Sequence, residues 1–248
     1  MDVSFQLYSA RDFTPWESVL KRLADLGYTQ VEGFRGNFED AAGFKKMLDA
    51  NGLTMPSGHF FPMEQFEDDI DEVIEKAKTL GMTKLYCPAL PPEQRSADKA
   101  AWKSVAERLE AIGAKIRAAG LGFGWHNHDF EFVAFEDGSF PMEIILEHAP
   151  SIEWEMDVAW IARGGQDPLA WIEGYADRIT AAHVKDIAPE GECTDEDGWA
   201  DVGHGTLDWT TIMAALRKIG VDLFVMEHDK PSDYDRFASR SIEAFRTF

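Results

Sequence analysis

The sequence predicts a single (β/α)8 TIM barrel spanning residues 1–248, and three observations carry that prediction. The length is close to the ~250 residues typical of one such barrel. Short apolar runs alternate eight times with segments of helical periodicity. Helical segments close on a glycine, at Gly27, Gly52, Gly81 and near Gly120, and the next apolar run follows at once. Short crossovers between parallel strands are right-handed, and eight such units close naturally into a ring. An open doubly wound sheet would need a phosphate-type glycine turn after its first strand, and Tyr8-Ser9-Ala10-Arg11 is not one.

Taken in order, Val3 to Tyr8 reads as the first strand, and Trp16, Val19, Leu20, Leu23 and Leu26 mark the first helix. Tyr28 to Phe34 is the second strand, and a short helix with Phe44, Met47 and Leu48 leads to the third, Leu53 to His59. Phe66, Ile70, Val73, Ala77 and Leu80 share one helical face before the fourth strand, Met82 to Cys87. Trp102, Val105, Leu109, Ile112 and Ile116 then lead into the fifth, which starts at Leu121. A short helix over Met142 to His148 precedes the sixth strand, Ile152 to Val158, and Pro168 opens the next helix at its first turn. Ile179 to Lys185 is the seventh strand, Val221 to Glu227 the eighth, and Tyr234, Phe237, Ala238, Ile242 and Phe245 make a closing helix. The connection from Ile187 to Thr206 is longer than a usual strand-to-helix loop; leaving the same mouth as His183, it is expected to act as a lid or to touch substrate.

The net charge of −21, from 45 acidic against 24 basic residues, opposes binding to phosphate backbones and anionic membranes, so neither nucleic acid nor membrane is an expected partner. There is no secretory pattern at the start and no run of 18 apolar residues, which makes a cytoplasmic protein the expectation. Cys87 and Cys193 lack the number and spacing for a disulfide framework; Cys87 reads as a buried strand residue and Cys193 as a loop thiol.

The chemistry gathers where apolar runs stop. The block Trp125-His126-Asn127-His128-Asp129-Phe130-Glu131-Phe132 ends one run in imidazoles and carboxylates, and the runs ending at Asp157, Asp186 and Asp229 end similarly. Alternation along a strand puts His126 with His128, Glu155 with Asp157, His183 with Lys185, and Glu227 with Asp229. Working groups of such barrels sit at the carboxyl ends of the strands, where all four clusters fall. Two carboxylates ~4 Å apart repel by roughly 4 kcal/mol at an effective dielectric of ~20, so Asp157 and Glu227 facing one another call for a proton or a divalent ion. Mixed imidazole and carboxylate donors suit a transition metal better than an all-oxygen site would.

That block, together with Glu155-Met156-Asp157-Val158, His183-Val184-Lys185-Asp186, Gly203-His204-Gly205-Thr206-Leu207-Asp208 and Met226-Glu227, resembles the sugar phosphate isomerase/epimerase family with the xylose isomerase-like barrel. The resemblance covers nearly the whole chain; it is specific for the superfamily and poor for the substrate. It implies one divalent metal ion (Mn, Mg, Co, Fe or Zn), with Asp157, His183 and Glu227 at three of the four ligand positions of the ketose epimerases. The first position, a Glu in those epimerases, falls on His126, with Glu131 as its substitute. Trp160 stands where the family pattern has a His, and Pro189 where it has an Arg. These departures point away from two-carboxylate epimerisation and toward the inosose dehydratase side of the family.

The resemblance thus implies a metal-dependent isomerase or epimerase of a keto-sugar or related polyol, acting through an enediolate, with an inosose or keto-sugar dehydratase as the alternative. Glu131, His128 and Lys185 are the expected proton-handling residues. His59, Trp160 and Glu155 are expected to border the substrate, Glu155 alternatively orienting a ligand or pairing with a buried cation. The expected partner is a small carbohydrate, and a homodimer is plausible. A DNA-repair nuclease on the same barrel is opposed by the acidic charge; a sugar-binding protein with a vestigial ion is a further reading.

Overall fold

In a computed structural model, which describes residues 2–248, the eight predicted strands close into one ring. The barrel strands are β1 (Ser4–Gln6), β2 (Gln30–Phe34), β3 (Thr54–His59), β4 (Lys84–Cys87), β5 (Gly122–His126), β6 (Glu153–Asp157), β7 (Ile179–Val184) and β10 (Leu223–Met226). All pair in parallel, and closure comes from β1 bonding both β2 and β10. Two short antiparallel strands, β8 (Asp186–Ile187) and β9 (Trp199–Ala200), form a ribbon inside the long loop.

Among the described residues ten α-helices surround the ring: α1 (Trp16–Leu26), α2 (Ala41–Ala50), α3 (Glu64–Asp68), α4 (Ile70–Leu80), α5 (Lys99–Ala118), α6 (Pro141–His148), α7 (Val158–Arg163), α8 (Pro168–Gly174), α9 (Trp209–Lys218) and α10 (Tyr234–Phe245). The acidic composition has a local use here. The carboxylates of Asp40, Asp69, Asp98, Asp157, Asp167, Asp208 and Asp233 each accept a backbone N–H in the first turn of the helix that follows. Such caps stabilise a helix by about 1 kcal/mol each.

Outward-facing strand residues such as Phe5, Phe123, Trp125, Trp154 and Phe224 pack against the helices in one large buried core. Inside the ring, Tyr86, Ala181, Leu223 and Val225 form a small apolar plug. Two residues further along the same strands the interior turns polar, because His183 and Glu227 follow Ala181 and Val225 at the period of a strand. Register aligns that layer: Asp157 is the Cα partner of His183, and His126 of Glu155.

The first strand is shorter than its apolar run suggests. Gln6 folds its side chain back to accept the Tyr8 N–H at 3.0 Å, and Leu7–Ala10 turns into a 3-10 helix. The fifth strand stops at His126, so the alternation expected to pair His126 with His128 ends there; Phe130–Phe132 is a 3-10 turn.

Candidate metal centre

Four strand ends deliver their polar side chains to one point. One ligand atom from each of His126, Asp157, His183 and Glu227 can be chosen so that all lie within 4.8 Å of one another, and all four residues are buried. A second set, His59, His126, Glu155 and His183, meets the same condition and shares two members with the first.

The local sequence explains how each is held. Asp157 ends β6 and caps α7: its Oδ1 accepts the Trp160 N–H at 2.8 Å. Its Oδ2 is buried without a hydrogen-bond partner, and the Lys185 ammonium stands 3.7 Å away. Asn127 clamps the Asp157 backbone: its Oδ1 accepts the Asp157 N–H at 2.9 Å and the Trp154 indole N–H at 2.8 Å, while its amide donates to the Asp157 carbonyl at 3.1 Å. His183 is gripped at both nitrogens, Nδ1 2.9 Å from Glu227 and Nε2 2.7 Å from Glu32.

Glu32 is the member that sequence reasoning missed. It is fully buried, accepting Gln6 Nε2 at 2.8 Å and the Ser57 hydroxyl at 2.5 Å besides His183. A lone carboxylate between Val31 and Gly33 in an apolar strand was the available signal.

Glu155 lies in the same lower layer. Its Oε2 is 2.5 Å from His59 Nε2, 3.2 Å from His126 Nδ1 and 3.3 Å from His183 Nε2, and its Oε1 is buried without a partner. Of its three expected roles this geometry matches the one that orients a ligand; Glu155 is not among the residues lining the cavity. His59 itself lines the cavity above.

The electrostatics follow from burial and crowding. Burial first, then the facing Glu227, raise the Asp157 carboxyl to about 7 against the opposing pull of Lys185. Burial alone would raise Glu227 too, but Lys185 and His183 overcome it and hold that carboxyl well below the usual range. Burial and the neighbouring His183 push His126 down to about 3, keeping it a neutral donor. His128 is likewise held well below its ordinary value by burial and by His126.

These donors fit a divalent ion. Two imidazoles and two carboxylates around an unpartnered buried oxygen, Asp157 Oδ2, supply both the charge and the coordination such an ion takes, and the ion would take the place of the proton that the surrounding carboxylates favour on His183. Glu32 behind His183, and Glu155 behind His126, stand where outer carboxylates would orient imidazoles that hold an ion.

Above this layer opens a cavity of about 810 Å³, lined by His59, His126, His128, Glu227 and Asp229 and, further out, by Tyr8, Phe34 and Phe61. His128 Nδ1 is buried without a hydrogen-bond partner. Lys185 ion-pairs with Asp229, lies 3.3 Å from Glu227, and packs its ammonium 4.2 Å from the Trp199 ring centre. Burial would lower its pKa, but the Asp229 and Glu227 carboxylates outweigh that and raise it above the ordinary value. Lys185 is therefore a fixed cation and not the base that a proton shuttle would want.

Two other expected site residues are placed elsewhere. Glu131 is turned away from the cluster: its oxygens accept the Trp125 indole N–H and the His128 backbone N–H, both at 2.9 Å, behind the wall of the barrel. Trp160, half-buried, has its ring packed against His128 at 5.2 Å and Trp199 at 4.7 Å, with the Lys185 ammonium 4.9 Å from its centre; it supports the site and is not among the residues that line the cavity.

The long loop is fastened down. The Asp186 carboxylate accepts the backbone N–H groups of Ile187, Gly203, Gly205 and Leu207. A Cβ at Gly205 would collide with that carboxylate, which accounts for the glycine. Arg236 pairs with Glu196 and Asp201, Arg240 with Asp201, and Lys230 with Asp197, tying the loop to α10 and to the end of β10. Within this loop it is Asp197 that reaches the cavity. Cys87 is buried and Cys193 exposed, as expected.

A closed parallel barrel with a carboxylate and imidazole cluster at the carboxyl ends of its strands defines a class, the α/β barrels with a candidate metal centre at the mouth. Within that class the chain belongs to the xylose isomerase-like TIM barrel family, whose profile matches residues 20–247. It is 24% identical over 242 residues to the rhizopine catabolism protein MocC of Rhizobium meliloti, a match covering 84% of this chain and 72% of that one. It is 23% identical over 162 residues to an inosose dehydratase of Lacticaseibacillus casei, covering 58% and 54% respectively. Among solved structures, a sugar phosphate isomerase/epimerase from Parabacteroides distasonis superimposes with a TM-score of 0.83 at 24% identity, over 98% of this chain and 92% of that one. The probable 3-DHS dehydratase AsbF from Bacillus anthracis does so with a TM-score of 0.79 at 11% identity, over 99% of each. At these identities the structural likenesses establish the fold. No helix of the described residues is long and apolar enough to cross a membrane.

Proposed function

We propose that the protein is a divalent-metal-dependent enzyme that removes a proton next to the carbonyl of a keto-sugar or related polyol, and that it isomerises or epimerises that substrate. The observation that carries this reading is the convergence of His126, Asp157, His183 and Glu227 beneath a cavity into which His128 projects. A bound ion would supply Lewis-acid polarisation of the substrate's carbonyl and hydroxyl oxygens.

The chain's own residues do the rest. His128, neutral and with a free Nδ1, is the candidate base for the α-proton. Lys185, fixed as a cation between Asp157, Glu227 and Asp229, offsets negative charge that develops on substrate oxygens. Glu32 and Glu155 keep the imidazoles of His183 and His126 oriented.

Elimination of water from the same enolate is the second reading, and a specific observation favours it. Glu155, a second carboxylate near the centre, is engaged by three imidazoles, so a two-carboxylate exchange across opposite faces of one carbon lacks its second partner. The inosose dehydratase relatives support the same reading. The test is to load the protein with each of Mn, Mg, Co, Fe and Zn and to incubate it with ketoses and inososes in deuterated water. Deuterium at carbon in recovered isomers supports isomerisation, and loss of water supports the dehydratase. Absence of exchange with every ion and substrate would sink both.

A further inference from the structure

The cavity is larger than the chemistry at its floor requires. A six-carbon sugar displaces about 200 Å³ at the packing density of protein interiors. The cavity holds about 810 Å³, within the range that takes ligands of drug size. Its floor is closed and polar, with His126 at 2% and Glu227 at 5% exposure.

Its rim is aromatic. Tyr8 and Phe61 are 39% and 37% exposed, and together with Val133 and Leu169 they are the large hydrophobic side chains left open to solvent among the described residues. Neither Val133 nor Leu169 lines this cavity, whereas Tyr8 and Phe61 both do. Phe34 meets the Tyr8 ring edge to face at 5.5 Å and backs it from the barrel side.

The rim's cations do not form an anion cradle. Arg11 lies 3.9 Å over the Tyr8 ring and donates to the Tyr8 carbonyl at 2.8 Å, and Lys230 pairs with Asp197 at 2.9 Å. Arg35 has no ion pair among the described residues but shares its edge of the cavity with Glu39. A phosphate would meet one free guanidinium beside a carboxylate. A flat, neutral ring would meet two exposed aromatic side chains that gain by losing their water.

We propose that the outer half of the cavity is a subsite for a second ring, so that the substrate carries, beyond the sugar or polyol ring over the floor, a neutral ring in glycosidic linkage. The apolar C–H face of a sugar and the face of an aryl group share the chemistry that Tyr8 and Phe61 would recognise. This proposal rests on the carbohydrate reading above, and it concerns binding at the rim, not the reaction at the floor.

The test is calorimetric titration of metal-loaded protein with glucose, galactose and mannose, each compared with its phenyl β-glycoside and with cellobiose, lactose or mannobiose. At least one two-ring ligand is expected to bind tenfold or more tightly than its parent sugar. Preference for the phenyl derivative identifies an aryl occupant, and preference for the disaccharide a sugar. Phe61→Ala and Tyr8→Ala should each reduce that ratio at least threefold, while Val133→Ala, outside the cavity, should leave it unchanged. Equal affinity for parents and derivatives, a ratio insensitive to both rim variants, tighter binding of glucose 6-phosphate than of phenyl glucoside, or no binding at all would each overturn the proposal. Deuterium exchange reports separately on the floor: a two-ring preference without exchange removes the enolisation reading and keeps the subsite, and exchange without preference does the reverse.

Discussion

His183 Nε2 lies 2.7 Å from Glu32 Oε1, across the barrel from the carboxylate that meets its other nitrogen. Because Glu32 fixes one ring nitrogen, the imidazole presents the other to the space shared by Asp157 and Glu227. Glu32→Gln is expected to weaken metal binding about 10- to 100-fold, the usual cost of losing an outer carboxylate behind a ligating histidine. Competition against a chromophoric chelator measures it, and unchanged affinity would remove Glu32 from the site.

Asp157 divides its two oxygens between a helix and the centre, and substitutions can separate the two tasks. Asp157→Ala should abolish bound metal by elemental analysis and also cost about 1 kcal/mol in chemical denaturation, from loss of the α7 cap. Asp157→Asn keeps an oxygen for the cap, so it should lose metal with less loss of stability. His183→Ala should likewise empty the centre.

His128 and Glu131 are three residues apart and are expected to fail differently. His128→Ala should lower deuterium exchange by about 10²- to 10⁴-fold with metal content intact, the range expected for a general base. Glu131→Ala should act through folding, because it strands the buried N–H groups of Trp125 and His128 at about 1–3 kcal/mol each. A Glu131→Ala protein of normal stability and no exchange would reverse this assignment.

His228 supplies a pH dependence of stability. It accepts the Lys230 backbone N–H through Nδ1 at 3.1 Å, which requires a neutral ring, and burial holds its pKa down to about 4, against the facing Glu196. With the folded value below the unfolded ~6.5, the unfolded chain binds the proton more tightly, so this stabilisation is complete above pH ~6.5 and is lost as pH falls toward 4. The loss amounts to roughly 3 kcal/mol at most. Urea denaturation between pH 7 and 4 should show a steeper acid decline for the wild type than for His228→Asn.

Much of this was legible in the sequence, and the reasons are local. Asp157, His183 and Glu227 follow apolar runs that really are strands, so the period of two places them correctly at the open end of the ring. Reading failed where the strand ended sooner than the alternation drawn along it. Past His126 the chain turns into a 3-10 helix, and the Glu131 side chain lies behind the wall against Trp125, on the face opposite the one His126 presents. Trp160 is placed differently for another reason: proximity in sequence to Asp157 does not reveal that Trp199, from the long loop, packs edge to face against its ring, away from the cavity lining. Glu32 was overlooked because its partners come from β1, β3 and β7, a convergence that exists only once the ring has closed.

The four backbone amides gathered by Asp186 make the long loop an extension of β7 and not a separable ornament. Loop grafting between relatives, a natural route to altered specificity in this architecture, must therefore move Asp186, Gly205 and the arginine anchors of α10 as one cassette. A graft that exchanged only the intervening sequence would leave a buried carboxylate without donors directly beside Lys185 and on the same strand end as the centre's own His183, and the damage would register first in metal retention.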